Sequence, residues 1–409
     1  MGIELPKAVE REALSPEFPY MPKDEWESRI KKARQLMGES GLDALMILTN
    51  DDRTYFYGCG KPYRNIYPNA GIIPREGPTT LISIGEDILV VQAQGYAERA
   101  IGYRGDTQAP TEKAPEPVKL IAEVVADLGL AKGTIGMEFG AFMWWEGVNM
   151  NEWEQLKKEL PEVKFVDATD LIWEMRMIKS GWEVEVMKYL YKATSLGYFQ
   201  IINNARPGAN ELDLYYDAIR LWLDMRIVEP RYYKIFCANA GGPPRDRILK
   251  EGDWMLLDAG PSYKGYCADI QRFIHIGEPG QEFRRLATWA YRAQQAVEAI
   301  LKPGAKVGDI WTTGISTVAE GEPDIWYKVR SRRFPSWIGH GEGLNEHEPP
   351  YLVEGSDVLL REGMVIAVEI PSFYERQLAN MPEDVYLITR EGYERLTNDF
   401  GPGDIYVKT

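Results

Sequence analysis

Four acidic residues in the second half of the chain stand beside apolar stretches, where an unpaired charge is costly to bury. Asp258 ends one apolar run, and Asp269 follows it eleven residues later. Glu369 interrupts a second run, and Glu383 lies just before a third. Any one of these acids taken alone is more often structural than functional. Together they predict a bound cation.

A histidine in a glycine-rich turn adds a nitrogen ligand to these acids. His340 and His347, two of the three histidines in the chain, both lie in the segment GHGEGLNEHEP. The glycines on either side of His340 allow the backbone to approach whatever its imidazole contacts. Carboxylates with one imidazole suit Mn²⁺, Fe²⁺, Co²⁺ or Zn²⁺ better than a thiolate-seeking metal. Two ions sharing bridging carboxylates would account for so much negative charge. The proposed ligands are Asp258, Asp269, His340, Glu369 and Glu383.

The composition narrows the class of protein. A chain of 409 residues favours two domains, and its 44% hydrophobic and 27% charged residues are typical of a globular protein. The net charge of -15 disfavours a nucleic-acid partner. Three cysteines without paired spacing predict a reducing cytoplasm. Neither an apolar run of about 18 residues nor a signal peptide is present, so no membrane association is expected.

The first 170 residues alternate between helical and strand patterns. Residues 26–41 have a helical pattern that ends in glycine, and the apolar run 44–48 follows as a buried strand. A strand at 79–84 and a helix at 118–128 continue the alternation. The pattern predicts an α/β domain with a mixed sheet over residues 1–170.

Residues 171–409 are organised differently, with long helices that occur in pairs. A helix at 183–205 is broken at 206–210 and followed by a second helical stripe. The pattern recurs later, with a break at 302–304. Strand-rich sequence follows each pair. Two similar halves predict an α+β domain with an internal pseudo-twofold and a site where the halves meet.

Four segments together resemble the signatures of the creatinase/prolidase/methionine aminopeptidase family, which has the pita-bread fold. They are LLDAG-x8-D, GHGEGL-x2-HE, GMVIAVEI and PEDVYLITREGYERLT. The resemblance extends from about residue 170 to the C-terminus. The first domain resembles the creatinase-type N-terminal domain more weakly, through DDRTYFYG. The closest functional resemblance is to Xaa-Pro dipeptidases.

The resemblance implies a centre of two divalent metal ions, with Mn²⁺ preferred and Zn²⁺, Fe²⁺ or Co²⁺ as alternatives. In that centre Asp269 and Glu383 bridge the ions. Asp258 completes the coordination of one ion, and His340 with Glu369 completes that of the other. The family also implies a homodimer that acts on a dipeptide or another small molecule.

The resemblance assigns catalytic roles as well. Glu369 would carry a proton from the attacking water, and His347 would contact the substrate or the developing oxyanion. Arg272 lies three residues after Asp269. It is a candidate partner for a bridging carboxylate, or equally for a surface salt bridge.

One position departs from the family pattern. Prolidase-like enzymes carry a histidine before the first ligand strand, in a stretch resembling HYTPNDRVLKDGDLVLIDAG, and the equivalent position here is Gly241. Loss of such a group costs about two to four orders of magnitude in rate. This shifts the expected substrate from ordinary peptides towards non-peptide compounds, unless Arg245 or Asp246 substitutes.

Three functions follow from these observations. The first is hydrolysis of a C–N bond in a peptide, amide or amidine, including creatinase-like and ectoine-hydrolase-like substrates. The second is C–S cleavage of the dimethylsulfoniopropionate-lyase type. The lyases are expected to have an acid in place of His347 and a further ligand acid where Ala259-Gly260 stands here. The third is an inactive binding module, which typically has lost ligands that this chain keeps. The sequence favours the hydrolase.

Overall fold

The computed structural model describes residues 21–58, 69–84, 88, 95–103, 116–140, 150–227, 235–236, 244–258, 260–331, 336–374, 377–397 and 405–408. The chain divides into two compact units, one ending at Arg176 and one beginning at Met177. In the described part of the chain, the helices are too short or too polar to cross a membrane.

The first unit contains a six-stranded mixed sheet with helices. Its elements are α1 (Lys23–Ser40), β1 (Ala44–Ile47), α2 (Asn50–Tyr57), β2 (Ala70–Pro74), β3 (Thr80–Ile84), β4 (Arg99–Tyr103), α3 (Glu116–Asp127), β5 (Thr134–Met137), α4 (Met150–Glu159), β6 (Lys164–Asp167) and α5 (Thr169–Arg176). The strand order is β4-β3-β2-β1-β5-β6. β1 pairs parallel with β5 and antiparallel with β2. It lies inside the sheet, and its four residues are all buried.

The second unit contains the helix pairs and a larger sheet. Its elements are α6 (Gly181–Asn204), α7 (Glu211–Asp224), β7 (Ile235–Phe236), β8 (Trp254–Asp258), β9 (Ser262–Tyr263), β10 (Tyr266–Cys267), β11 (Gln271–Ile276), α8 (Gln281–Glu298), α9 (Val307–Gly321), α10 (Ile325–Arg330), β12 (Gly339–Gly341), β13 (Val365–Tyr374), β14 (Gln377–Ile388), β15 (Tyr393–Arg395) and β16 (Ile405–Lys408). The order along the main path of the sheet is β12-β13-β14-β11-β8-β7, with antiparallel neighbours.

The core of this unit lies between the sheet and the helix pair α8 and α9. Phe283, Ala290 and Val297 on α8 belong to the same buried cluster as Ile366 and Val368 of β13. The spacing of these α8 residues places them on one side of the helix. The helix packing therefore supports β13, which carries one of the proposed metal ligands.

Helix α6 is fixed at its N-terminus by two hydrogen bonds and is tied to the strands beside the site. The Ser180 hydroxyl accepts from the backbone N–H of Glu183, and the Glu183 carboxylate accepts from the backbone N–H of Ser180. The other oxygen of Glu183 accepts from the hydroxyl of Tyr266 on β10 at 2.6 Å. The middle of α6 contacts the glycine-rich segment around His340, where the hydroxyl of Tyr191 donates to Glu342.

Candidate metal centre

Strand register places three of the proposed ligands in one row across the sheet. Asp258 on β8 is opposite Gln271 on β11, and Gln271 is opposite Glu383 on β14. Glu383 is in turn opposite Glu369 on β13. Directly paired residues project from the same face of a sheet. Acids separated by more than 100 positions in the sequence therefore share one face.

The remaining proposed ligands approach from the two sides of this row. His340 on β12 is opposite Ala367, two residues from Glu369. Its Nε2 lies 3.6 Å from Glu369 Oε1 and 3.6 Å from Glu383 Oε1. Asp269 lies two residues before β11, and its Oδ2 is 3.6 Å from His347 Nε2. The five proposed ligands therefore lie in one region.

Their ligand atoms fall into overlapping groups, each compact enough for one cation. Asp258, Asp269 and Glu383 form one group, and His340 and Glu383 form another with Glu342. Within each group the ligand atoms lie within 4.8 Å of one another. Glu383 belongs to both groups, so its carboxylate lies close to Asp258 and Asp269 as well as to His340. Glu369 is in neither group, and its Oε1 lies 3.6 Å from His340 Nε2. A third group joins Asp269 and His340 to His347.

The site is buried, and burial shifts the pKa of two of its groups. Burial and then the nearby carboxylates of Asp269, Glu369 and Asp258 raise the pKa of Glu383 well above its ordinary value. Burial, and secondarily His347, lowers the pKa of His340 well below its ordinary value. The imidazole of His340 is therefore neutral, the form that binds a metal.

The polar atoms of the site provide a test of whether a metal fits. His340 Nε2 and Glu383 Oε1 are buried and have no hydrogen-bond partner among the residues that the structure describes. An unsatisfied buried polar group costs about 1–3 kcal/mol. Both atoms point to the space between the proposed ligands. A divalent cation there would satisfy them and neutralise the acids, so the donor set fits the predicted metal.

Arg272 contacts the backbone of Glu383 and the side chain of its neighbour Asp384. Its Nη1 donates to the backbone carbonyl of Glu383 at 2.5 Å, and its Nη2 pairs with Asp384 Oδ1 at 2.5 Å. Both Arg272 and Asp384 are fully buried. The alternative of a surface salt bridge is therefore wrong, and Arg272 positions the backbone beside a ligand.

Two functional candidates lie beside the ligands without having been predicted. The indole N–H of Trp337 donates to Glu369 Oε1 at 2.5 Å, and its ring packs near those of His347 and Tyr351. Glu342 is fully buried beside His340. Alternation along an extended segment could have identified Glu342, because it follows His340 by two residues. The sequence around Trp337 carries no comparable signal.

The position of the missing histidine, Gly241, lies outside the described residues. Its two suggested substitutes have contacts near the start of α7. The backbone N–H of Arg245 donates to Glu211, and Asp246 accepts from the side chain of Asn210. Neither contact involves a proposed metal ligand. Substitution by Arg245 or Asp246 stays a prediction.

Two family models match the chain. Residues 185–392 match metallopeptidase family M24, and residues 29–178 match the creatinase/prolidase N-terminal domain. The first match alone covers just over half of the 409 residues. The chain belongs to metallopeptidase family M24. The predicted fold class, a creatinase-like α/β domain followed by an α+β pita-bread domain, is confirmed.

Individual relatives cover nearly the whole chain. An uncharacterized peptidase of Staphylococcus aureus (strain MRSA252) is 26% identical over 382 residues, which is 91% of this chain and 99% of that relative. The crystal structure of dipeptidase PepE from Mycobacterium ulcerans has a TM-score of 0.76 at 20% identity, covering 95% of this chain and 99% of its own. An Xaa-Pro dipeptidase from Bacillus anthracis has a TM-score of 0.75 at 21% identity, covering 93% and 99%. At these identities the structures establish the fold.

Family membership also establishes the class of enzyme. The M24 chain is a hydrolase of the metallopeptidase type, and its family implies divalent metal ions. This confirms the predicted enzyme class. The ligand assignment, the metal and the substrate are finer questions, which the geometry of the site addresses.

Proposed function

We propose that this M24 chain hydrolyses a C–N bond in a small substrate, with an Xaa-Pro dipeptide as the leading candidate, using two divalent ions held by the five predicted ligands. The observation that carries the proposal is the position of Glu383, which forms a compact group with Asp258 and Asp269 and also lies 3.6 Å from His340 Nε2. The unsatisfied Nε2 of His340 and Oε1 of Glu383 support it, because both atoms need a cation partner. The two similar solved structures, a dipeptidase and an Xaa-Pro dipeptidase, support a small peptide as the substrate class.

The proposed ligands divide between the two ions as the family resemblance implies. Asp258 would hold one ion and His340 with Glu369 the other, and Glu383 and Asp269 would be shared. When bound, such a pair of ions lowers the pKa of water and polarises a carbonyl group.

Two side chains then handle protons and charge in the reaction. Glu369 accepts the proton of the attacking water, and the indole of Trp337 holds its carboxylate in one orientation through the 2.5 Å hydrogen bond. His347 is 23% exposed and has its Nε2 near Asp269. From there its imidazole donates a hydrogen bond to the carbonyl oxygen of the substrate, which gains negative charge when water attacks the carbonyl carbon.

Three further properties belong to this proposal. Mn²⁺ is the preferred metal, because the ligands are mostly carboxylate oxygens. The enzyme acts in the cytoplasm, on the basis of three cysteines without paired spacing. It works as a homodimer, by resemblance to the family.

The test compares wild type with Glu383→Ala and with Glu391→Gln, an exposed control on the turn after β14. Each protein is loaded with Mn²⁺ or treated with a chelator. It is then assayed on Xaa-Pro dipeptides, other dipeptides, cyclic amidines and sulfonium acids. We expect metal-dependent cleavage that Glu383→Ala loses and Glu391→Gln keeps.

Two outcomes would overturn the proposal. Correctly folded wild type that takes up no divalent metal would indicate a binding module. Release of acrylate from a sulfonium acid, without C–N cleavage, would indicate a lyase.

A further inference from the structure

Glu342 is a buried carboxylate beside a proposed metal ligand that neither the resemblance nor the predicted ligand set includes. It directly follows β12, and its backbone N–H donates to the carbonyl of Val365 at 3.0 Å, so the extended pairing continues through it. Because side chains alternate along an extended segment, Glu342 lies on the same side as His340. Its Oε1 is 3.5 Å from His340 Nδ1, and both side chains are completely buried.

A tyrosine on helix α6 holds the other oxygen of this carboxylate. The hydroxyl of Tyr191 donates to Glu342 Oε2 at 2.9 Å, and Tyr191 is also completely buried. Glu342 Oε1 has no hydrogen-bond partner among the residues that the structure describes. The carboxylate is therefore anchored at one oxygen and directs the other to the imidazole.

The two nitrogens of His340 face different groups. Nε2 lies 3.6 Å from Glu369 and from Glu383, on the side of the proposed ions. Nδ1 lies 3.1 Å from the backbone carbonyl of Gly341 and 3.5 Å from Glu342. Both groups near Nδ1 present an oxygen that can accept a hydrogen bond from an N–H at that nitrogen. A neutral imidazole with its proton on Nδ1 leaves Nε2 unprotonated, which is the form that can bind a cation.

We propose that Glu342 is a positioning residue that, held by Tyr191, keeps the proton of His340 on Nδ1 and so presents Nε2 to the metal. A carboxylate next to the distal nitrogen also makes the imidazole a stronger ligand. The inference rests on the proposed metal centre. It adds a connection from α6 through Tyr191 and Glu342 to His340. Loss of such a partner costs about 10- to 100-fold in metal affinity.

Direct coordination by Glu342 is the competing role that the test must separate. His340, Glu342 and Glu383 place ligand atoms within 4.8 Å of one another, which is close enough for one cation. However, the Glu342 oxygen lies at Nδ1, whereas the other ligands lie at Nε2. Glu342 therefore acts through the imidazole.

The experiment measures Co²⁺ binding instead of turnover. Metal-free full-length protein is titrated with Co²⁺ in competition with a chelator, and the visible spectrum of bound Co²⁺ reports the number of ligands. The variants are Glu342→Gln, which keeps the shape of the side chain, and Tyr191→Phe, which removes one hydroxyl. Tyr189→Phe is the matched control, because this hydroxyl on the same helix donates to the carbonyl of Met225 instead.

We expect Glu342→Gln to weaken Co²⁺ binding about 10- to 100-fold, with the stoichiometry and the spectrum at saturation unchanged. Tyr191→Phe should weaken binding by a smaller factor, and Tyr189→Phe should not change it. Thermal unfolding of each metal-free variant shows whether it is folded. If Glu342→Gln does not fold, the affinity of Tyr191→Phe for Co²⁺ tests the inference.

Several outcomes would overturn the inference. Unchanged affinity in both Glu342→Gln and Tyr191→Phe would show that Glu342 does not act on His340. Loss of one bound ion, or a spectrum of lower coordination number, would make Glu342 a ligand. In both cases the wild type still binds two ions, so the proposed function stands. Wild type that binds no Co²⁺ would overturn the metal centre together with this inference.

Discussion

Glu383 and Asp384 are neighbours on β14, both are buried, and their charges are balanced in different ways. Asp384 pairs with Arg272 and Arg395 and accepts from the hydroxyl of Thr397. Glu383 projects from the opposite face of the sheet, opposite Glu369. We call these the arginine face, formed by Asp384, Arg272 and Arg395, and the ligand face, formed by Asp258, Glu369 and Glu383.

The comparison shows how a buried acid can be assigned to structure or to function. On the arginine face two positively charged side chains, Arg272 and Arg395, form ion pairs with Asp384. On the ligand face the neighbouring nitrogen belongs to His340, whose lowered pKa keeps it neutral. The arginine face balances its own charge, whereas we propose that ions from solution balance the charge of the ligand face.

A third cluster, in the first unit, lies between these two cases. Asp52 and Arg176 form a buried pair at 2.9 Å. Burial, with Asp52 nearby, raises the pKa of Glu138 to about 9. Here Arg176 lies near both Asp52 and Glu138, and its charge balances that of Asp52. The raised pKa keeps Glu138 protonated. The three clusters thus differ in the ratio of arginines to acids.

The largest expected effect is on the arginine face. Arg272→Met should lower the free energy of unfolding by about 3–5 kcal/mol, because it leaves Asp384 buried beside only one arginine. Urea unfolding of the metal-free protein measures this. Glu383→Gln in the same assay should cause little destabilisation, since burial and the neighbouring acids raise the pKa of Glu383 and already favour its neutral form in the metal-free protein. Equal destabilisation by the two variants would contradict the claim that the two faces balance their buried charges differently.

Metal binding should stabilise the folded protein through the ligand face. With free metal at about 1,000 times its Kd, wild type should gain about 4 kcal/mol over the chelated protein. Differential scanning calorimetry with Mn²⁺ and with chelator gives this gain. In Glu383→Ala the gain should disappear, because the shared ligand is missing. A gain that survives this substitution would place the metal elsewhere.

The Glu138 cluster should give a stability that depends on pH. The folded pKa of Glu138 is raised from 4.5 to about 9, so its contribution is present at low pH and is lost as pH rises between these values. Denaturant unfolding across this range should show a decline for wild type. Glu138→Gln, which cannot ionise, should reduce this dependence of stability on pH. An unchanged slope would show that Glu138 is not its source.

The smallest effect concerns the orientation of one carboxylate on the ligand face. Trp337→Phe removes the hydrogen bond to Glu369 but keeps an aromatic ring. A hydrogen bond to a charged group contributes about 1.5 kcal/mol or more, which corresponds to about tenfold in kcat. Metal content should be unchanged. Steady-state kinetics with saturating metal checks the prediction, and an effect on KM alone would contradict it.

The alternation of apolar runs with single acids predicts the ligand set, because a buried charge needs a partner wherever it lies, and this assignment stays a prediction. The helix pairs and the strands were also predictable, since apolar periodicity is a local property. The same periodicity could have identified Glu342, two residues after His340. It could not identify Trp337 or Tyr191, whose roles depend on contacts across 32 and 151 positions of the chain.

The sequence by itself determined the family, the fold class and the chemical type of the site. Signature segments are contiguous stretches of the chain, so they can be recognised without knowledge of tertiary contacts. The tertiary structure decided which acids share a face. Strand register placed Glu383 opposite Glu369, and it placed Asp384 against Arg272 on the reverse side. A shift of one residue would exchange the two acids, and register depends on pairing between strands that are distant in sequence.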